Sequence, residues 1–191
     1  HDGQRALPAV AVALLLRTNP FMLYFGQEYG ERGMDKEGFS GGDGRTTIFD
    51  YWALDTLLRA QAVPQQLTST ELQLKKCYDK LLRIAAEEKV VQEGEFFDLM
   101  YANLNRSDFD THTEYAFIRH TEHDKLLVIV NFASEDKFTG VFLPAHAFDC
   151  CQLPLCNVKA CDLLTGVVVE LPLRRDAALY VDVPAFGMRI L

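Results

Sequence analysis

Asn19-Pro20-Phe21-Met22-Leu23-Tyr24-Phe25-Gly26-Gln27-Glu28-Tyr29-Gly30 holds five consecutive apolar residues between a breaker, Asn19-Pro20, and a glycine. Such a short run, apolar at every position, predicts a β-strand buried on both faces, as in parallel sheets covered by helices. Immediately upstream, Arg5 to Arg17 (RALPAVAVALLLR) is also continuously apolar, with Pro8 placed for the first turn of a helix. Continuous apolarity predicts burial around that helix rather than an amphipathic surface element.

Downstream the composition changes. Gly30, Gly33, Gly38, Gly41, Gly42 and Gly44 concentrate half of the twelve glycines in a polar segment that includes Asp35, Lys36, Glu37, Ser40 and Asp43. A long loop of this kind is functional or a flexible connection. It holds neither G-x-G-x-x-G nor a G-K-[ST] ending, which argues against a phosphate cradle. Thr46 to Ala60 follows, with Ile48, Phe49, Tyr51, the only tryptophan (Trp52), Leu54, Leu57 and Leu58. Thr68 and Glu71 then form a T-x-x-E capping box. Leu74, Cys77, Tyr78, Leu81, Leu82 and Ala85 keep the three-four spacing of one helix face, predicting a helix from Thr68 to about Lys89.

From Gly94 the periodicity shortens. Phe96–Leu104, Tyr115–His120, Leu126–Phe132, Phe138–Pro144, Val158–Leu164, Val167–Leu171, Ala178–Val183 and Met188–Leu191 are β-prone runs separated by turn residues. Several short strands at this spacing predict an antiparallel sandwich or barrel. The fold class expected is α+β: residues 1–92 a helix, strand and helix with a Gly-rich loop, residues 93–191 an all-β domain. The first part is incomplete by itself, because a lone parallel-type strand leaves both rows of backbone groups unpaired. Other strands must come from another chain or from a longer protein.

Composition narrows the function. With 19 Lys and Arg against 27 Asp and Glu, a net charge of -8 and 49% hydrophobic residues, the chain is an acidic protein with ample core material. That balance argues against binding nucleic acid or a basic attachment to membranes. The longest apolar run, Ala6 to Leu16, is short of the ~20 residues a bilayer requires, and it lacks the charged start of a signal peptide. Cys77, Cys150, Cys151, Cys156 and Cys161 are odd in number and show no C-x-x-C pair, so they read as reduced thiols packed as small hydrophobes. His112, His120, His123 and His146 lack metal-ligand spacing and read as surface residues.

The stretch Asn19 to Gly30 resembles the eighth barrel strand of the α-amylase family of glycoside hydrolases, read as G-x-P-x-x-Y-x-G-x-E. Tyr24, Gly26 and Glu28 match; Asn19 stands for the glycine, and Pro20 lies one position early. Asp43 to Trp52 resembles the segment that follows, although the family's R-x-P-M-x-W is here stretched between Arg45 and Trp52 and lacks its Pro-Met. Tyr115–His120 with Leu126–Phe132 is similar to the opening hairpin of the family's C-terminal β-sandwich. The resemblance implies a partial (β/α)8 barrel followed by an antiparallel sandwich. It also implies a parent acting on α-glucans such as starch and maltooligosaccharides by a retaining mechanism, which needs a carboxylate nucleophile and a carboxylic acid. Both precede Phe21 in the family, and such a barrel takes about 250 residues. His1-Asp2 is read as a chance match to the pair ending the seventh strand. This chain alone is therefore expected to be inactive, with no catalytic residue and no cofactor of its own; calcium is common in the family, and where it is bound the resemblance implies the parent holds it.

Tyr24, Glu28, Tyr29, Arg45 and Trp52 are the candidate substrate-binding residues. Glu28 falls beyond the C-terminal end of a barrel strand, the face on which such sites are built. The aromatic rings offer flat apolar faces with polar edges for pyranose stacking. The expected partners are an α-glucan, the remaining barrel of the same protein and, through the open strand, a second copy of the chain. A non-catalytic glycan-binding sandwich is the alternative reading.

Overall fold

The computed structural model describes residues 3–31 and 54–191. Among these, six α-helices and eight strands occur in the order α1 Leu7–Leu15, α2 Asp55–Ala62, α3 Ser69–Glu87, α4 Lys89–Gln92, β1 Glu95–Asp98, α5 Met100–Asn103, β2 Glu114–His120, β3 Lys125–Asn131, β4 Lys137–Leu143, α6 Ala145–Cys151, β5 Asn157–Cys161, β6 Val168–Pro172, β7 Ala177–Val183 and β8 Gly187–Ile190. Helices and antiparallel sheets are thus both present, the α+β class expected.

The centre is a four-stranded sheet in the order β1-β2-β3-β8. A continuous apolar run buried on both faces does exist here, in β3. Leu126, Val128 and Val130 join a cluster with α1, α3 and α4, while Leu127 and Ile129 point the other way. That second face packs on the β4–β7 pair, the β5–β6 hairpin and α6 through Val141, Leu143, Phe148, Leu171, Leu179 and Val183. Period-two alternation and full burial together explain why β3 is apolar at five successive positions.

Helix α1 lies directly on β3 and β8, and α3 covers α1 from behind. Leu7, Val10, Ala11, Leu14 and Leu15 are buried, whereas Ala9 and Ala13 are exposed, so one narrow stripe of α1 stays open. Of the two helices, α1 makes the sheet contact and α3 seals it with Leu74, Tyr78, Leu81 and Ile84. The Thr68–Glu71 capping box forms as expected, with the Thr68 N–H donating to Glu71 at 2.7 Å and the Glu71 N–H to Thr68 at 3.2 Å.

A second tie was not legible from local pattern. Arg119 on β2 is 3% exposed, and no acidic partner among the described residues pairs with it. Its guanidinium donates to the backbone carbonyls of Leu16 at 2.9 Å, Val91 at 2.6 Å and Val90 at 3.4 Å. The Leu16 carbonyl is one of those left open where α1 ends, so a side chain 103 residues away completes that terminus. Burial, and to a lesser degree Arg17, pushes its proton affinity below the usual guanidinium range.

Several expectations need correction. Residues 21–25 enter no sheet among the described residues and are not buried on both sides. Phe21 and Leu23 pack partly on the helical cluster, while Met22 is 78% exposed and Tyr24 and Phe25 are also exposed. A strand exists only through its partners, and without them the segment is an irregular ribbon covered at Phe21 and Leu23. The run Phe96–Leu104 divides into β1 and the short helix α5, and Ala145–Cys151 folds as α6. None of the five cysteines is paired; Cys151 is buried and Cys77 packs partly buried on the helical cluster, whereas Cys150, Cys156 and Cys161 are exposed, so the small-hydrophobe reading holds for two of them.

Candidate functional site

Two glycines shape the turn that follows the ribbon. Gly26 at φ +78° and Gly30 at φ +72° take left-handed conformations on either side of a 3-10 turn, Gln27–Tyr29. A side chain at Gly26 would be strained in its backbone, and its Cβ would sit 2.8 Å from that of Glu31. The glycines therefore let the chain double back, with Gln27 and Glu31 donating their N–H groups to Tyr24 and Gly26.

Side chains then lock this turn to the helices. The Gln27 amide accepts from the Tyr24 N–H at 3.2 Å and donates to the Tyr78 hydroxyl at 2.9 Å. Tyr78 lies within α3 at 1% exposure, and burial raises its hydroxyl above the usual phenol range. Glu31 accepts from the Leu57 N–H at 2.8 Å. Leu54 stands at the cap position before helix α2 and its side chain cannot cap it, so Glu31 supplies the oxygen from a distant turn. Gln27 and Glu31 were missed by sequence reasoning; the uncappable Leu54 was the available signal that a remote acceptor was needed.

Among the sequence candidates, Tyr24, Glu28 and Tyr29 come together on this turn. Tyr24 is exposed. Tyr29 lies under Lys75, whose ammonium is 5.9 Å from the ring centre. Lys75 holds its proton more tightly than usual, chiefly through its bond to Asp79, with smaller contributions from Tyr29 and Glu28. One oxygen of Glu28, Oε2, is buried without a hydrogen-bond partner among the described residues. Arg45 and Trp52 lie outside the described residues, as do Asp35, Glu37, Phe39, Asp43, Phe49, Asp50 and Tyr51.

Retaining hydrolysis needs two carboxyl groups about 5 Å apart across a bond. Glu28 is available, but Glu31, the other carboxylate of the turn, is committed to the α2 terminus. Among the described residues no group of three or more His, Cys, Asp and Glu side chains is placed to hold a metal ion. No helix among them is long and apolar enough to cross a membrane. Of the histidines, His146 contacts Cys150 Sγ at 3.0 Å on α6 and packs its ring on Phe97.

No protein-family model and no curated protein matches the sequence. Solved structures do match the fold. AmyP in complex with maltose is similar over 98% of this chain, with a TM-score of 0.63 and 17% identity. This is an α-amylase-type fold. The α-amylase of Geobacillus thermoleovorans complexed with acarbose matches all of the chain at a TM-score of 0.61 and 13% identity. The maltogenic α-amylase AmyB from Thermotoga neapolitana matches 98% of it at 0.62 and 15%. The chain spans about a third of the length of these three proteins, 34%, 33% and 36% respectively. At such identities the likeness is one of architecture, and it carries no residue of the α-amylase active site onto this sequence.

Proposed function

We propose that this chain is the C-terminal part of an α-amylase-like glycoside hydrolase that acts on α-glucans by a retaining mechanism. In this reading α1, the ribbon at residues 21–25 and its turn complete a barrel whose other strands carry the nucleophile and the acid. The β-sheet region covers one end of that barrel. The observation that carries the proposal is the open side of the ribbon: Met22, Tyr24 and Phe25 are large apolar side chains left exposed, Met22 at 78%. Apolar surface of this kind marks an interface. Glu28 and Tyr29 would then edge the sugar cleft at the C-terminal end of the ribbon. Calcium, where the whole enzyme binds it, would sit outside the described residues.

The 191-residue chain should not release reducing ends from maltoheptaose, whereas a chain extended upstream to a whole barrel should, giving a product of retained α-configuration. Hydrolysis by the 191-residue chain, or an inverted product from the longer one, would refute the proposal. A free-standing glycan-binding module would remain inactive in both forms.

A further inference from the structure

The outer face of the β4–β7 pair carries an arrangement unrelated to the turn at Gly26. Register places Gly140 opposite Tyr180, with Phe138 and Phe142 two residues to either side of Gly140 on the same face. Because Gly140 has no side chain, the Tyr180 ring lies down over it: a Cβ there would meet Tyr180 Cε1 at 2.8 Å and Asp108 Oδ2 at 2.6 Å. Lying flat, Tyr180 brings its hydroxyl to Asp108 Oδ2 at 3.0 Å. Phe138 stacks nearly parallel to it, with centroids 5.5 Å apart and planes inclined by 22°. Phe138 is 68% exposed and Tyr180 52% exposed, so two large rings face solvent side by side.

Polar groups border the rings. Arg106 donates to both oxygens of Asp108, at 2.9 and 2.8 Å, and lies over the Phe142 ring at 4.8 Å. A guanidinium has five N–H donors, and this pairing uses two. Arg106, and then Tyr180, keep Asp108 ionised below the usual carboxylate range. From Phe138 to Phe142 a strand advances about 14 Å, giving a row of ring, ring, carboxylate, guanidinium and ring.

We propose that Phe138 and Tyr180 form a surface site for a neutral α-glucan oligosaccharide, with Asp108 and Arg106 meeting its hydroxyls. The apolar faces of pyranose units pack on exposed rings, while their edges require donors and acceptors beside the rings. Anionic partners are disfavoured by Asp108 and Asp182 on this face and by a net charge of -8. The identity of the sugar rests on the functional reading above; the existence of the platform does not. The site would anchor a long glucan at a distance from the cleft.

Calorimetry of the 191-residue chain with maltoheptaose and with cellohexaose tests the proposal. Maltoheptaose should bind, and Phe138→Ala and Tyr180→Ala should each weaken it by roughly tenfold. Both side chains are more than half exposed, so both variants should remain folded, Phe138→Ala with the melt of the parent and Tyr180→Ala with a modest loss for its bond to Asp108; melting curves separate lost binding from lost folding. Absence of maltoheptaose binding, unchanged binding in both folded variants, or binding of cellohexaose alone would overturn the site. So would sedimentation showing a dimer that Phe138→Ala dissolves, since a second copy would then be the occupant. Loss of the site would leave hydrolysis by the upstream-extended chain untouched, so the two proposals fail separately.

Discussion

Glu71 does three things with one carboxylate. It closes the capping box of α3, accepts from both terminal nitrogens of Arg59 at 3.0 and 2.8 Å, and so ties α2 to α3. Arg59 also reaches Asp55 and the Gln66 carbonyl. Its guanidinium is the main reason that Glu71 falls from the ordinary 4.5 to about 2. A carboxylate depressed in the folded state stabilises above its unfolded value, and that stability disappears as pH falls through the folded value. The melting temperature should therefore decline as pH drops from about 5 toward 2. In Glu71→Gln it should start lower at neutral pH and lose less over that interval, read by thermal melts at fixed ionic strength. The pair is partly solvated, which keeps the effect modest. Thr68 and Glu71 were legible in the sequence because both partners lie within one turn. Arg119, Glu31 and the Gly140–Tyr180 pairing were not, because each completes its bonds across the fold and no local spacing records them.

At the scale of elements, helix α3 and nearly all the strands follow from periodicity, while α6 and the division of Phe96–Leu104 do not. Short helices of four to seven residues hold too few turns for a 3.6 period to show against β-prone side chains. The segment at residues 21–25 shows the opposite failure: the pattern of a doubly buried strand is present, but no partner that would turn it into a sheet lies among the described residues. Leu81 tests the layer formed by α1 and α3. It is 0% exposed in the cluster that joins both helices to Phe117, Val128 and Ile190. Leu81→Asp would bury an unpaired carboxylate and lose the packing of an aliphatic side chain, together a cost of more than about 4 kcal/mol. The variant should aggregate or melt well below the parent by circular dichroism, whereas an unchanged melt would show that α3 does not seal this core. Leu81→Met, similar in volume, should remain close to the parent.

For the whole molecule, the two hydrophobic clusters place the central sheet in the middle of a stack. The β4–β7 and β5–β6 pairs lie on one side, with α1 and then α3 on the other. The stack leaves the ribbon at the edge of the helical side, anchored by Phe21 and Leu23 and open at Met22, Tyr24 and Phe25. Fold class and the antiparallel half were legible from alternation and turn residues. The candidate site was legible only at Tyr24, Glu28 and Tyr29, and the ties that hold it, Gln27 to Tyr78 and Glu31 to Leu57, depend on tertiary closure. The central claim is that this ribbon is a barrel strand awaiting its neighbours. Amide hydrogen exchange at Met22, Leu23 and Phe25 measures it directly, comparing the 191-residue chain with the same chain extended upstream. Fast exchange in the short chain and strong protection in the long one is the predicted result; equally fast exchange in both would contradict the account.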